Sequence, residues 1–308
     1  MFTAKKGRLA AVAAVAVGAV VALAGCASSN PLGTGSNASS APTTLVVGSQ
    51  DYYSNEIIAE IYAQALESNG FTVDRQFRIG QREVYLPELK SGSIDVFPEY
   101  TGSLLQALDK AAAGGTSDAV HDQLVKALPS GLTALDKSDA SDQNSWTATQ
   151  AFVDTYKLTD LASLKNVTEP ITVGGNSELE TRPYGPTALK DKYGITIAGF
   201  VPVEDNGGPL TVKALVDNKI QLANIYTADP NIKSNNLVAL SDPDGLFFPD
   251  NVVPIVSSKV DEKAAGVLNK ISAAMTAADL VSLNAQSVND KESADKIASA
   301  WLAQAKLF

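Results

Sequence analysis

Ser93-Ile94-Asp95-Val96-Phe97-Pro98-Glu99-Tyr100-Thr101-Gly102-Ser103 changes character at its middle. Ile94 to Phe97 is a short β-like run. Pro98 has no amide hydrogen to donate, so it is expected to end the sheet ladder. The polar cluster Glu99 to Ser103 then opens a helical pattern carried by Leu104, Leu105 and Leu108. A strand end feeding a helix start is where α/β proteins gather ligands, because free amides and the helix dipole converge there. Tyr100 adds an aromatic face at that point. Taken alone, the stretch reads equally as an ordinary βα loop with a half-buried tyrosine.

Upstream, Leu45-Val46-Val47-Gly48 is a buried-strand pattern ending in the polar turn Ser49-Gln50-Asp51. A helix is expected from about Ser54, with Ile57, Ile58, Ile61, Tyr62, Ala65 and Leu66 on one face, stopping at Asn69-Gly70. Phe71 to Ile79 reads as a second strand. Arg82 to Lys90 reads as a helix closed by Gly92. The β-α-β-α-β order, with crossovers long enough for helices, implies a parallel sheet.

Downstream come a loop over Ala111 to Asp118, a helix to about Leu128 and a short strand over Leu132 to Leu135. After the polar stretch Lys137 to Ser145 and Trp146, the alternation restarts. Ile171 to Val173 is read as a strand, Pro186 to Tyr193 as a helix closed by Gly194, and Ile195 to Val201 as a strand. Leu210 to Val216 is read as a helix and Ile220 to Tyr226 as a strand. Leu237 to Leu240 and Val252 to Val256 are further strands. From Glu262 onward the pattern is helical. The chain therefore reads as two α/β lobes, 44–145 with 250–308 and 146–249. Two chain crossings between lobes make a hinge, and the cleft between them is a natural ligand trap.

At the N-terminus, Lys5, Lys6 and Arg8 precede an apolar run from Leu9 to Ala24, which at 16 residues is short for a membrane span but suits an export signal. Leu23-Ala24-Gly25-Cys26 looks like a bacterial lipobox, giving a signal peptide over 1–25 and a lipidated Cys26. Residues 26–43 are rich in Ser, Asn, Gly, Pro, Ala and Thr and read as a flexible tether. Cys26 is the only cysteine, so no internal disulfide and no thiolate zinc cluster is expected. The formal net charge of −10 becomes −13 once the three basic residues of the signal are removed. So acidic a body argues against nucleic acid as a partner.

Catalytic signals are weak. There is no Gly-x-Ser-x-Gly elbow and no His-Glu-x-x-His. The single histidine, His121, falls on an expected solvated helix face and has no partner for metal or triad chemistry. Paired carboxylates such as Asp95 and Glu99 are what an exported hydrolase would draw on, at a separation sequence does not give. No catalytic residue, metal site or cofactor is expected.

Several runs resemble the glycine betaine/choline-binding (OpuAC or ProX-type) proteins of ABC importers. They are Val46 to Gln50, Glu60 to Glu67, Leu89 to Gly92, Pro98 to Gly102, Thr181-Arg182-Pro183, Tyr226-Thr227-Ala228-Asp229 and Phe247-Phe248-Pro249. The similarity follows the chain in order from the tether to the end, and its strongest motif is Pro-Glu-Tyr-Thr-Gly. The resemblance implies a two-lobe periplasmic-binding-protein fold (type II-like) and an extracytoplasmic, monomeric, lipid-anchored receptor. That receptor would deliver a small solute to an ABC permease with its cytoplasmic ATPase. The implied solutes carry a quaternary ammonium, which has no N–H and is held instead by aromatic faces.

By position, the resemblance makes Tyr100 and Tyr226 cage walls, Ser103 a hydroxyl donor and Arg182 the clamp for a carboxylate. Gln50 stands where some members have lysine. Trp146 falls near an expected cage tyrosine. Asp250, followed by Asn251, stands where the last cage tyrosine usually follows Phe-Phe-Pro, so a different small solute is the alternative. Tyr52 and Tyr53 lie in the first loop, where they are candidates to line the cleft, although the resemblance assigns them no role.

Overall fold

The computed structural model describes residues 44–308; the expected signal peptide, Cys26 and the expected tether lie outside them. In the first half the strands are β1 (Thr44–Gly48), β2 (Thr72–Gln76), β3 (Val96–Tyr100) and β4 (Leu132–Ala134). The helices are α1 (Tyr53–Ser68), α2 (Arg82–Ser91), α3 (Thr101–Leu108) and α4 (Ser117–Ala127). The chain then builds β5 (Asn144–Thr149), α5 (Gln150–Tyr156), β6 (Thr172–Gly175), α6 (Pro186–Tyr193) and β7 (Gly199–Pro202). It continues through α7 (Pro209–Val216), β8 (Leu222–Tyr226), α8 (Asn231–Ser234) and β9 (Leu237–Ala239). Last come β10 (Val252–Ser257), α9 (Glu262–Ala274), α10 (Ala277–Val288) and α11 (Ala294–Ala305).

Two five-stranded sheets result, ordered β2-β1-β3-β10-β4 and β7-β6-β8-β5-β9. Each is mixed rather than parallel. In the first, β1 runs parallel to β2 and β3, but β10 returns from the second lobe and lies antiparallel to both β3 and β4. In the second, β6 is parallel to β7 and β8, and β5 is antiparallel to β8 and β9. Because β5 begins at Asn144, the change of sheet falls before residue 144 rather than after 145.

Pro98 does not end the ladder; it lies inside β3, opposite Pro254 of β10. In an antiparallel pair, alternate residues point their amide and carbonyl groups away from the partner strand. The outward-pointing carbonyls confirm that arrangement here. Pro98 O accepts from Asn55 Nδ2 at 2.9 Å, and Pro254 O accepts from the Leu135 amide at 2.9 Å. Two residues without a donor thus occupy the one pairing that needs none.

β2 is shorter than the apolar pattern suggests, since Arg78 and Gly80 both take positive φ and turn the chain. β7 likewise starts only at Gly199. α2 and α6 end as expected, with Gly92 and Gly194 in the left-handed conformation. On α1, Ile57, Ile58, Ile61, Tyr62 and Leu66 are buried against the C-terminal helices, chiefly α11 and α9. Burial of each such side chain stabilises by roughly 1.5–3 kcal/mol. The opposite face of the first sheet packs Phe97, Val253 and Ile255 on Tyr85, Leu89, Leu104 and Val120.

Residues 135–143 and 240–251 carry the chain between sheets, and they pair with each other. Ser141 bridges Asn251 in antiparallel fashion, Val252 N donates to Ala140 O at 3.0 Å, and Asp142 N donates to Asp250 O at 3.3 Å. The hinge is therefore a narrow two-stranded ribbon at the floor of the cleft.

Candidate functional site

Alternation along β3 sends successive side chains to opposite faces. Val96 and Tyr100 face the α1 side, whereas Phe97 and Glu99 face the α2 side. Glu99 is wholly buried, and its carboxylate takes a bidentate pair from Arg82 Nε and Nη2, both at 2.9 Å, and a further bond from Tyr85 Oη. Asp95, also wholly buried, accepts from Val46 N at 3.0 Å and Ser257 Oγ at 2.8 Å. Both carboxylates are thus engaged in holding strands and helices together. That leaves the hydrolase reading of Asp95 and Glu99 without a free pair.

Thr101, Gly102 and Ser103, the first turn of α3, are tied to the second crossing. Thr101 Oγ1 donates to Pro249 O and accepts from Asn251 N, each at 3.0 Å. A Cβ on Gly102 would stand 2.7 Å from Pro249 O and 2.8 Å from Phe248 Cβ, so only glycine allows this approach. Asp250 accepts from Ser103 N at 2.8 Å and from Ser103 Oγ. The motif is therefore a lock between strand, helix and hinge, with Tyr100 and Ser103 the side chains it turns toward the cleft.

That cleft, with about 40 Å³ free inside it and about 500 Å³ when its opening to solvent is included, is lined from the first lobe by Gln50, Tyr52, Gln81, Arg82, Tyr100 and Ser103. The hinge adds Asp142 and Asp250. The second lobe adds Asn144, Asn176, Glu178, Leu179, Arg182, Tyr184, Asn224 and Tyr226. Four tyrosines converge here. Tyr52 and Tyr226 have ring centroids 5.2 Å apart, Tyr52 and Tyr100 are 6.4 Å apart, and the hydroxyl of Tyr52 donates to that of Tyr100. Tyr184 packs on Phe247 at 5.6 Å. Burial pushes the phenols of Tyr52, Tyr100 and Tyr226 up from their ordinary value, so all three stay neutral.

The lobes are joined directly across this space. Arg182 Nη1 meets Glu83 Oε1 at 2.7 Å, and Tyr53 Oη donates to Asp229 Oδ2 at 2.9 Å. Asn206 Nδ2 donates to Asp51 O at 2.8 Å, and Asn144 Nδ2 to Ser103 Oγ at 3.3 Å. At the hinge, Asp142 accepts from Ala228 N at 2.9 Å and from Ser54 Oγ at 3.3 Å, bonding to both lobes. Burial raises its carboxyl to about 7, against the Ala228 amide, with the charges of Asp229 and Asp250 adding to the rise. Burial likewise lifts Asp250 to about 6, opposed by its Ser103 bonds.

Of the residues singled out from sequence, Gln50, Tyr100, Ser103, Arg182, Tyr226 and Asp250 meet in the cleft. Trp146 does not. It points from β5 into the second lobe's core among Leu158, Leu161 and Leu222, fully buried; Asn144, two residues earlier on the same face, sits at the start of the strand beside the crossing and reaches the cleft. His121 lies outside the cleft, half-buried, with Nε2 2.9 Å from Leu135 O. Sequence reading gave no role to Tyr184, Asp142, Glu178 or Arg82. Tyr184 follows Arg182 by two residues in the same loop, which was a usable signal; the other three carry none.

Residues 43–304 match the family model for the substrate-binding domain of ABC-type glycine betaine transport systems, OpuAC. The chain belongs to the OpuAC family. The glycine betaine-binding protein YehZ of Escherichia coli (strain K12) is 26% identical over 288 residues, covering 86% of this chain and 91% of that protein. A crystal structure of a glycine betaine/carnitine/choline ABC transporter superposes with a TM-score of 0.70 at 17% identity, covering 85% of this chain and 99% of the other. Lactococcal OpuAC, closed and complexed with glycine betaine, gives 0.62 at 14% identity, covering 85% and 96%. At such identities the structural likeness establishes the fold, the two-lobe α/β architecture of periplasmic binding proteins. OpuAC proteins are extracytoplasmic solute-binding components of ABC transporters, and this chain has their domain over residues 43–304. No helix among those residues is long and apolar enough to cross a membrane.

Proposed function

We propose that the protein captures a quaternary-ammonium compatible solute, such as glycine betaine, choline or carnitine, by closing its lobes, and presents it to an ABC permease for osmoprotective uptake. The convergence of Tyr52, Tyr100, Tyr184 and Tyr226 in one cleft carries this reading. A quaternary ammonium offers no hydrogen-bond donor, and each aromatic face contributes roughly 0.5–2 kcal/mol toward holding it. Gln50, Ser103 and Arg182 supply the polar side. Binding shifts an open–closed equilibrium, and no bond is made or broken. The protein acts as a monomer, held at the outer face of the cell membrane by lipid on Cys26 through the 26–43 tether.

Titration calorimetry of the protein with glycine betaine, choline, carnitine and a panel of unrelated solutes tests this. Heat with at least one quaternary amine is the expected result; heat only with an unrelated solute overturns it. The second reading, the same transport role with a different small polar or aromatic solute, is favoured by two observations. Trp146 is withdrawn from the cleft, and an aspartate, Asp250, lines it where the resemblance would put the last cage tyrosine.

A further inference from the structure

Seven buried side-chain polar atoms among the described residues have no hydrogen-bond partner, and two of them, Glu178 Oε2 and Gln50 Nε2, belong to residues lining the cleft. Such atoms are rare because desolvation without a partner costs free energy, and in a binding cleft a ligand or a bridging water supplies the partner. Glu178 sits on the second-lobe wall in the short turn Ser177–Thr181, beside Leu179 and four residues before Arg182. A carboxylate oxygen only accepts when ionised, so it needs a donor. The four methyl or methylene substituents of a quaternary nitrogen provide none.

The charges around it point the same way. Both arginines of the cleft already hold carboxylates: Arg82 binds Glu99 through Nε and Nη2, and Arg182 binds Glu83 through Nη1 and Nη2. Asp142 and Asp250 accept only from neutral serine and amide groups. The surplus charge in the cleft is negative, which disfavours a second carboxylate from a zwitterionic solute. We infer that Glu178 is a specificity-determining acceptor for a hydroxyl group on the solute, and that the cleft selects a hydroxylated monocation of the choline type over a betaine. This rests on the quaternary-ammonium reading above and narrows it.

The test uses the full-length protein and three probes: choline, n-propyltrimethylammonium, in which a methyl replaces the hydroxyl, and glycine betaine. Choline is expected to bind at least about tenfold tighter than either of the others, since a site built around a hydroxyl rejects the analogue lacking it. Glu178→Gln should weaken choline about tenfold more than it weakens n-propyltrimethylammonium, which loses only the attraction of the charge. Equal binding of choline and its propyl analogue by the unaltered protein overturns the inference alone, whatever the variant does. So does equal weakening of all three probes by Glu178→Gln. Failure of every probe to bind overturns the quaternary-ammonium reading and this one together.

Discussion

Arg182 of the second lobe and Glu83 of the first form an ion pair across the cleft, 2.7 Å from Nη1 to Oε1. Glu83 keeps more than half of its side chain in water, so the pair is screened and contributes about 0.2–1 kcal/mol to the closed arrangement. Glu83→Gln is therefore expected to weaken solute affinity by less than about fivefold, mainly through faster release. Stopped-flow fluorescence separates the two rates; a loss carried by the on-rate alone would count against a closure role.

Arg82 and Glu99 make the contrasting pair. Both are buried, and Glu99 also receives Tyr85 Oη and the Tyr100 amide. Arg82→Met strands that carboxylate without a counter-charge, and a loss of about 3–5 kcal/mol in unfolding free energy is expected from denaturant titration. A loss under about 1 kcal/mol would mean that the glutamate finds another partner or takes up a proton.

Tyr100→Ala removes one wall of the proposed cage and should weaken binding of a quaternary amine at least about tenfold, whereas Tyr100→Phe keeps the ring, loses only the bond from Tyr52, and should stay within a few-fold of the unaltered protein. His121→Ala, outside the cleft, should leave affinity unchanged. Equal effects of Tyr100→Ala and His121→Ala in calorimetry would sink the cage.

Asp142 and Asp250 titrate at about 7 and about 6 in the folded protein, above the ordinary value of 3.8. The folded state therefore holds these protons more tightly than the unfolded chain. The resulting stabilisation is complete below about pH 4 and declines as pH rises, disappearing above about pH 7. A bound cation favours the ionised carboxylates, so cation affinity runs the opposite way and should increase between about pH 5 and 8. Asp250→Asn should flatten the lower part of that rise. Calorimetry at several pH values checks it, and a flat profile would separate these carboxylates from the ligand.

Cys26→Ala should release the protein from the membrane fraction into the medium or periplasm, read by immunoblot after fractionation. Retention of the variant would argue against lipid on that residue.

Much of the architecture was legible because it rests on local rules. Glycine at helix ends, the apolar face from Ile57 to Leu66 and the restart of β/α alternation after Trp146 each leave a periodic or conformational mark in the chain. Strand direction leaves none: the antiparallel course of β10 depends on where the chain re-enters the first sheet, 152 positions after β3 ends. Pro98 misled for a related reason. Its missing donor excludes half of the positions in a ladder, and only the partner strand shows that it occupies the other half.

The same division runs through the site. Sequence by itself determined the family, through the Pro98 to Gly102 motif, and brought Gln50, Tyr100, Ser103, Arg182, Tyr226 and Asp250 forward as candidates. Tertiary structure alone decided which aromatic rings share the cleft, withdrawing Trp146, adding Tyr184 and bringing in Tyr52 of the two tyrosines in the first loop. It also decided which charges remain unpaired there. A residue's type fixes what it can donate or accept, but whether that capacity is already used depends on neighbours brought from distant parts of the chain. Glu99 is satisfied by Arg82 and Tyr85, and Glu178 has no partner for its buried oxygen.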